Sequence, residues 1–169
     1  MFGQKTELLP KASIISAGMT PIHLACWQGC MEAIPILLAH GASATVSSKG
    51  DQSTRIKGDA LRMLLVTDGV RDVAELLPVV RLLVEHGGDP RAGRRGRLWR
   101  ITYIADQQNP VEVRSFLVSC LKERHEQGEL QLASRRDLLV LMFGAALCGD
   151  EDALLYFLRQ ALCCDQAIL

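Results

Sequence analysis

Residues 20–42 constrain the fold more than any other part of the chain, because they predict two short helices with a glycine stop after each. Thr20 is a favoured N-cap residue, and Pro21 suits the first position of a helix. Gly29 predicts the end of the first helix, since glycine readily adopts a positive φ, and Gly41 predicts the end of the second. The apolar residues between these stops predict two inward faces: Ile22, Leu24, Ala25 and Cys26, then Ile34, Ile36, Leu37 and Leu38.

The same segment resembles the ankyrin repeat, whose signature begins T-P-L-H-x-A and continues with glycine, a leucine pair and Gly-Ala. The resemblance implies helix pairs that stack side by side. It also implies that His23 connects adjacent loops through hydrogen bonds, and this structural role is favoured over a catalytic or metal-binding one. The matching residues are Thr20-Pro21-Ile22-His23-Leu24-Ala25, Gly29, Leu37-Leu38 and Gly41-Ala42.

Weaker copies of this pattern follow along the chain. Four residues that tolerate a positive φ recur at an equal spacing, namely Gly29, Gly69, Asn109 and Gly149. The spacing exceeds the ~33 residues of an ankyrin unit, which leaves the later units open to a HEAT-like interpretation. We assign the excess to long inter-repeat loops, called fingers in that family, and to extra residues at 70–75 before a helix beginning near Leu76.

We therefore predict an all-α solenoid of stacked helix–turn–helix pairs, ankyrin-repeat-like, in a single domain over residues 1–169. Its units span roughly 20–52, 58–92, 98–128 and 135–164, and residues 1–19 form an N-terminal cap or the remnant of a repeat. The polar residues at 43–57 predict a projecting, hairpin-like finger.

Composition narrows the functional classes. Lys plus Arg and Asp plus Glu number 19 each, so global charge predicts neither a nucleic-acid partner nor an acidic substrate. No run approaches the ~20 apolar residues of a membrane span, and residues 1–16 lack the pattern of a secretory signal. The six cysteines do not follow the spacing of a disulfide framework. We expect a reduced, intracellular protein in the cytoplasm, the nucleus or both.

The sequence offers no positive case for an enzyme. Cys26 and Cys30 are separated by the helix stop at Gly29, which disfavours a structural zinc site. No phosphate-binding loop precedes a helix, and the carboxylates converge at no readable spacing. We expect no catalytic residue, no metal, no cofactor and no small-molecule substrate.

Two features predict a binding surface. Residues 91–100 contain five arginines and no acidic residue, and they form the predicted finger between the second and third units. Trp27 falls at a position that faces the concave groove in ankyrin repeats, although packing against residues 1–19 is the competing interpretation. The predicted contact residues are Trp27, Gln28, Lys49, Asp51, Arg91, Arg94, Arg95 and Arg97.

These features favour a non-catalytic interaction module or adaptor that binds another protein, with an acidic segment as one option, since arginine pairs well with carboxylates. Three alternatives stay open. The arginine loop binds nucleic acid or an anionic lipid, or acts as a nuclear localisation signal; the repeats serve as the recruitment part of a larger enzyme or ligase complex; or the loop is only a solvated surface.

Overall fold

The computed structural model describes residues 18–48, 58–66, 72–90, 109–132 and 135–166, and its regular elements there are helices. The all-α prediction is confirmed. The seven helices are α1 (Pro21–Gln28), α2 (Ala33–Ala39), α3 (Ala60–Val66), α4 (Val73–Glu85), α5 (Val111–Glu126), α6 (Arg135–Cys148) and α7 (Glu151–Gln166).

The helices form pairs that stack in chain order. Helix α1 packs on α2 and on α3, α2 contacts α4, and α3 packs on α4. Farther along, α4 packs on α5, and α5 packs on both helices of the α6–α7 pair. Each pair thus covers the next, which is the arrangement expected of a helical solenoid. The predicted first helix of the third unit lies outside the described residues, and the unit boundaries stay a prediction.

The core is the set of inward side chains that each helix supplies. Helix α2 shows the pattern: Ile34 is fully buried and Leu38 nearly so, whereas Ile36 between them is 59% exposed. The prediction that Ile36 faces inward was therefore wrong, because residues two apart lie on nearly opposite sides of a helix. Among the described residues, the fully buried apolar side chains are Ile22, Cys26, Ile34, Ala60, Leu61, Leu64, Val80, Leu83, Val113, Val118, Leu121, Leu141, Ala145 and Phe157.

Helix α4 begins one turn earlier than its predicted start at Leu76. The Asp72 carboxylate accepts the N–H of Ala74 at 3.0 Å and so caps the helix. Part of the extra sequence predicted at residues 70–75 is thus the first turn of α4, which makes α4 longer than its counterpart α2.

The same type of turn joins the two helices of the first pair and the two helices of the fourth pair. Gly29 and Gly149 have φ values of 71° and 69°, a conformation that glycine adopts without strain. The residue after each glycine donates its N–H to an alanine carbonyl, Ala25 at 2.9 Å and Ala145 at 3.0 Å. The predicted equivalence of these two turns is confirmed, while Gly69 lies outside the described residues.

Helices α2 and α4 also end alike. His40 and His86 donate from Nδ1 to the carbonyls of Ile36 and Leu82, at 2.8 and 2.9 Å. Two residues later, Ala42 and Gly88 donate their N–H groups to the carbonyls of Leu37 and Leu83. These shared contacts satisfy carbonyls that a helix end otherwise leaves unpaired, and they support a repeat relation between the two units.

Candidate protein-binding surface

The finger after the first helix pair is anchored to α1 through His23. Thr20 approaches Nδ1 of His23 twice, with its backbone N–H at 3.1 Å and its hydroxyl at 2.8 Å. Because Nδ1 accepts from that N–H, the ring proton is on Nε2, which donates to the carbonyl of Val46 at 2.8 Å. The imidazole thus caps α1 with one nitrogen and holds the finger with the other.

The environment of His23 keeps it neutral. The residue is fully buried, and burial lowers its pKa, although the hydrogen bond to Val46 and the nearby carboxylate of Asp59 act in the opposite direction. A neutral imidazole with both nitrogens engaged serves as a structural link between α1 and the finger.

The two ends of this finger are joined by an isolated antiparallel bridge. Ser48 donates its N–H to the carbonyl of Gly58 at 2.9 Å, and its hydroxyl lies 3.3 Å from the same oxygen. A side chain at Gly58 would collide with Arg62, whose Cβ lies 3.0 Å from the position of an added Cβ. The bridge supports the predicted hairpin-like finger at its base, while residues 49–57 lie outside the described residues.

The second unit makes the corresponding link with a carboxylate. Asp59 directly precedes α3, as Thr20 directly precedes α1. Its Oδ1 accepts the N–H of Arg62 and its Oδ2 accepts the N–H of Asp89, both at 2.9 Å. Burial raises the pKa of Asp59, and the two N–H donors act against this rise. Sequence reasoning missed this residue, although an aspartate just before a predicted helix is a recognised start signal.

Two of the predicted contact residues lie together on the last turn of α1. Trp27 is half-buried and Gln28 is exposed. The other predicted contacts lie outside the described residues, and they are Lys49, Asp51, Arg91, Arg94, Arg95 and Arg97.

Residues 17–49 match the family model of the ankyrin repeat. Over this segment, the chain is similar to an ankyrin repeat. The match covers α1, α2 and the start of the finger, which is the part that the Thr20–His23–Val46 contacts hold together. Searches of curated proteins and of solved structures found no match.

The ankyrin repeat, whose family model residues 17–49 match, is a general protein–protein interaction module. The part of the chain that the structure describes contains no group of three or more His, Cys, Asp or Glu side chains that could hold a metal ion. None of the helices in that part is long and apolar enough to cross a membrane.

Proposed function

We propose that the protein is a non-catalytic adaptor, which binds a partner protein through the concave groove of its first helices and through its inter-repeat fingers. The observation that carries the proposal is the anchoring of the first finger. His23 fixes the finger on α1 through the carbonyl of Val46, on the helix that also carries Trp27 and Gln28. A preordered loop loses less conformational entropy on binding than a free one.

The proposed contacts combine an aromatic anchor with a group of cations. A half-buried tryptophan offers a large, rigid contact area and is a frequent hot spot in interfaces. The arginines would pair with carboxylates of an acidic segment in bidentate geometry. The proposed contact residues are Trp27, Gln28, Lys49, Asp51, Arg91, Arg94, Arg95 and Arg97. We place the protein inside the cell, in the cytoplasm or the nucleus, on the pattern of its cysteines.

A pull-down from cell lysate with three variants tests the proposal. One variant changes Trp27 and Gln28 to Ala, and the second changes the four arginines at positions 91, 94, 95 and 97 to Ala. The control is Ile36→Ala, since Ile36 is an exposed apolar residue on α2 rather than on a first helix. A discrete protein retained by the wild type and the control, and lost from either site variant, is the expected result.

Two results would overturn the proposal. A bound protein that all three variants retain would place the contact outside the groove and outside the arginine loop at residues 91–100. Recovery of only nucleic acid or anionic lipid, with binding that falls steeply as salt is added, would favour the alternative in which the arginine loop neutralises phosphates.

A further inference from the structure

The α6–α7 pair carries a face of exposed large apolar side chains. Along α6 they recur every four residues, and along α7 at intervals of three and four, so each set forms one stripe on its helix. Their exposed fractions run from 38% to 58%, and the residues are Leu139, Phe143, Leu147, Leu155, Leu158 and Leu162.

Each stripe lies opposite the residues that its own helix buries, and α6 and α7 pack side by side, so we treat the two stripes as one face. The same helices turn other residues inward, among them Leu141 and Ala145 from α6 and Phe157 from α7, all fully buried. Helix α5 packs on this pair and shares that core. The exposed face is therefore on the side of the pair that α5 does not cover, and we call these six residues the terminal face.

The terminal face is large for a surface that faces water. A fully exposed phenylalanine offers about 150–250 Å² and a leucine an area toward the lower end of that range, so these six at their exposed fractions present roughly 500 Å². The largest apolar patch on a typical monomer is about 300–600 Å², and patches of this size often mark interaction sites.

We propose that a second copy of this chain covers the terminal face, which makes the protein a two-fold homodimer. Two such faces would bury about 1,000 Å² of apolar surface. At the ~65% apolar fraction usual for homodimer interfaces, the total is about 1,500 Å², the size of a standard specific interface. The area that this face can offer thus matches what a stable dimer needs.

A second copy also fits the shape and the charge of the face. The terminal face is two helices wide, so a helix pair covers it better than a single partner helix, and a two-fold axis brings each pair against its equivalent. The formal net charge of the chain is +0, which imposes no long-range repulsion between copies. Exposed Glu151, Asp152 and Arg159 on α7 give both signs of charge beside the apolar stripe.

Light scattering after size-exclusion chromatography, with the full chain over a range of concentrations, measures the mass directly. The wild type is expected at twice the 18.6 kDa of one chain, at concentrations above the micromolar range in which interfaces of this size associate. The double variant Phe143→Glu with Leu158→Glu is expected at the mass of one chain, because a buried unpaired carboxylate opposes association. Both positions are exposed in the single chain, so far-UV circular dichroism should be unchanged.

The control is Ile36→Glu, which places one such charge at an apolar residue away from the terminal face that is as exposed as Phe143, 59% against 57%, and it is expected to remain dimeric. A wild type that stays at the mass of one chain would overturn the proposal, including the case in which a different protein covers the face. Loss of the dimer in the control would overturn it too, and so would open-ended growth in mass with concentration.

Discussion

Replacing His23 with alanine should destabilise the protein far more than the same change at an exposed histidine. The substitution removes three polar contacts, two from Thr20 and one to the carbonyl of Val46. A net contribution of about 0.5–1.5 kcal/mol per hydrogen bond gives roughly 1.5–4.5 kcal/mol, to which the lost packing of a fully buried ring adds. We expect a decrease of about 3 kcal/mol in the free energy of unfolding, and in a chain of this length about 10 °C in Tm.

The matched control is His40→Ala. His40 is exposed and makes one hydrogen bond, from Nδ1 to the carbonyl of Ile36 at 2.8 Å, so its removal should cost about 1 kcal/mol or less. Urea unfolding followed by far-UV circular dichroism measures both variants. Equal losses in the two variants would refute the assignment of His23 as the link between α1 and the finger.

The pH dependence gives an independent check with a definite sign. Burial lowers the pKa of His23 in the folded state below its ordinary value of 6.5, so the unfolded chain takes up a proton at higher pH than the folded one. The stability that neutral His23 contributes is therefore fully present above pH 6.5, and it declines as the pH falls from 6.5 toward the lowered folded pKa. Asp59 acts with the opposite sign, because its raised pKa removes stability as the pH rises above 3.8.

Both titrations act in the acid range, but Asp59 is present in the wild type and in His23→Ala alike, so the difference in unfolding free energy between the two reports chiefly on the histidine. That difference should shrink on acidification from about pH 7 to about pH 5. A difference that does not change with pH would contradict the burial of a neutral imidazole.

Four further substitutions have expected outcomes that thermal or urea unfolding can check. Ile34→Ala should cost about 2–5 kcal/mol and Ile36→Ala less than about 1 kcal/mol, since the first side chain is fully buried and the second is 59% exposed; similar losses would contradict the orientation of α2. Asp59→Thr should destabilise the protein by about 1–3 kcal/mol, although threonine is the residue of the ankyrin signature. One hydroxyl cannot replace two carboxylate oxygens, so the N–H of Asp89 loses its acceptor. A stabilised variant would contradict this reasoning. Gly88→Ala should destabilise by about 1–3 kcal/mol, since the added Cβ would lie 2.7 Å from a carbonyl oxygen of α4, and an unchanged Tm would show that the contact relaxes freely.

Local signals in the sequence predicted most of the helices. The N-cap at Thr20 and the stop at Gly29 depend on residues close in the chain, and the structure has a helix boundary at each. The orientation of Ile36 could not be obtained in this way. Helix α2 contains an unbroken run of four apolar residues after Pro35, so its sequence has no clear helical periodicity, and only packing against α1 and α4 decides which side is buried.

The candidate site was harder to predict than the fold. The link from Asp59 to the N–H of Asp89 joins residues thirty positions apart, and nothing in the local sequence of either one indicates the other. For the contact surface, the structure places Trp27 and Gln28 on one turn of α1, and the remaining predicted contacts lie outside the described residues.

The two polar links explain how the second helix pair, α3–α4, forms without the T-P-x-H signature. In the first unit, Thr20 and His23 share the task of capping a helix and holding the following loop. In the second unit, Asp59 performs both tasks alone, with one carboxylate oxygen for each. Because the carboxylate of Asp59 accepts both the N–H that caps α3 and the N–H of the following loop, the T-P-x-H residues are not required here. The third position of α3, which corresponds to His23 in α1, carries Arg62 instead. The helix pair α3–α4 therefore forms without the signature, since the core of the stack needs only apolar faces and satisfied helix ends.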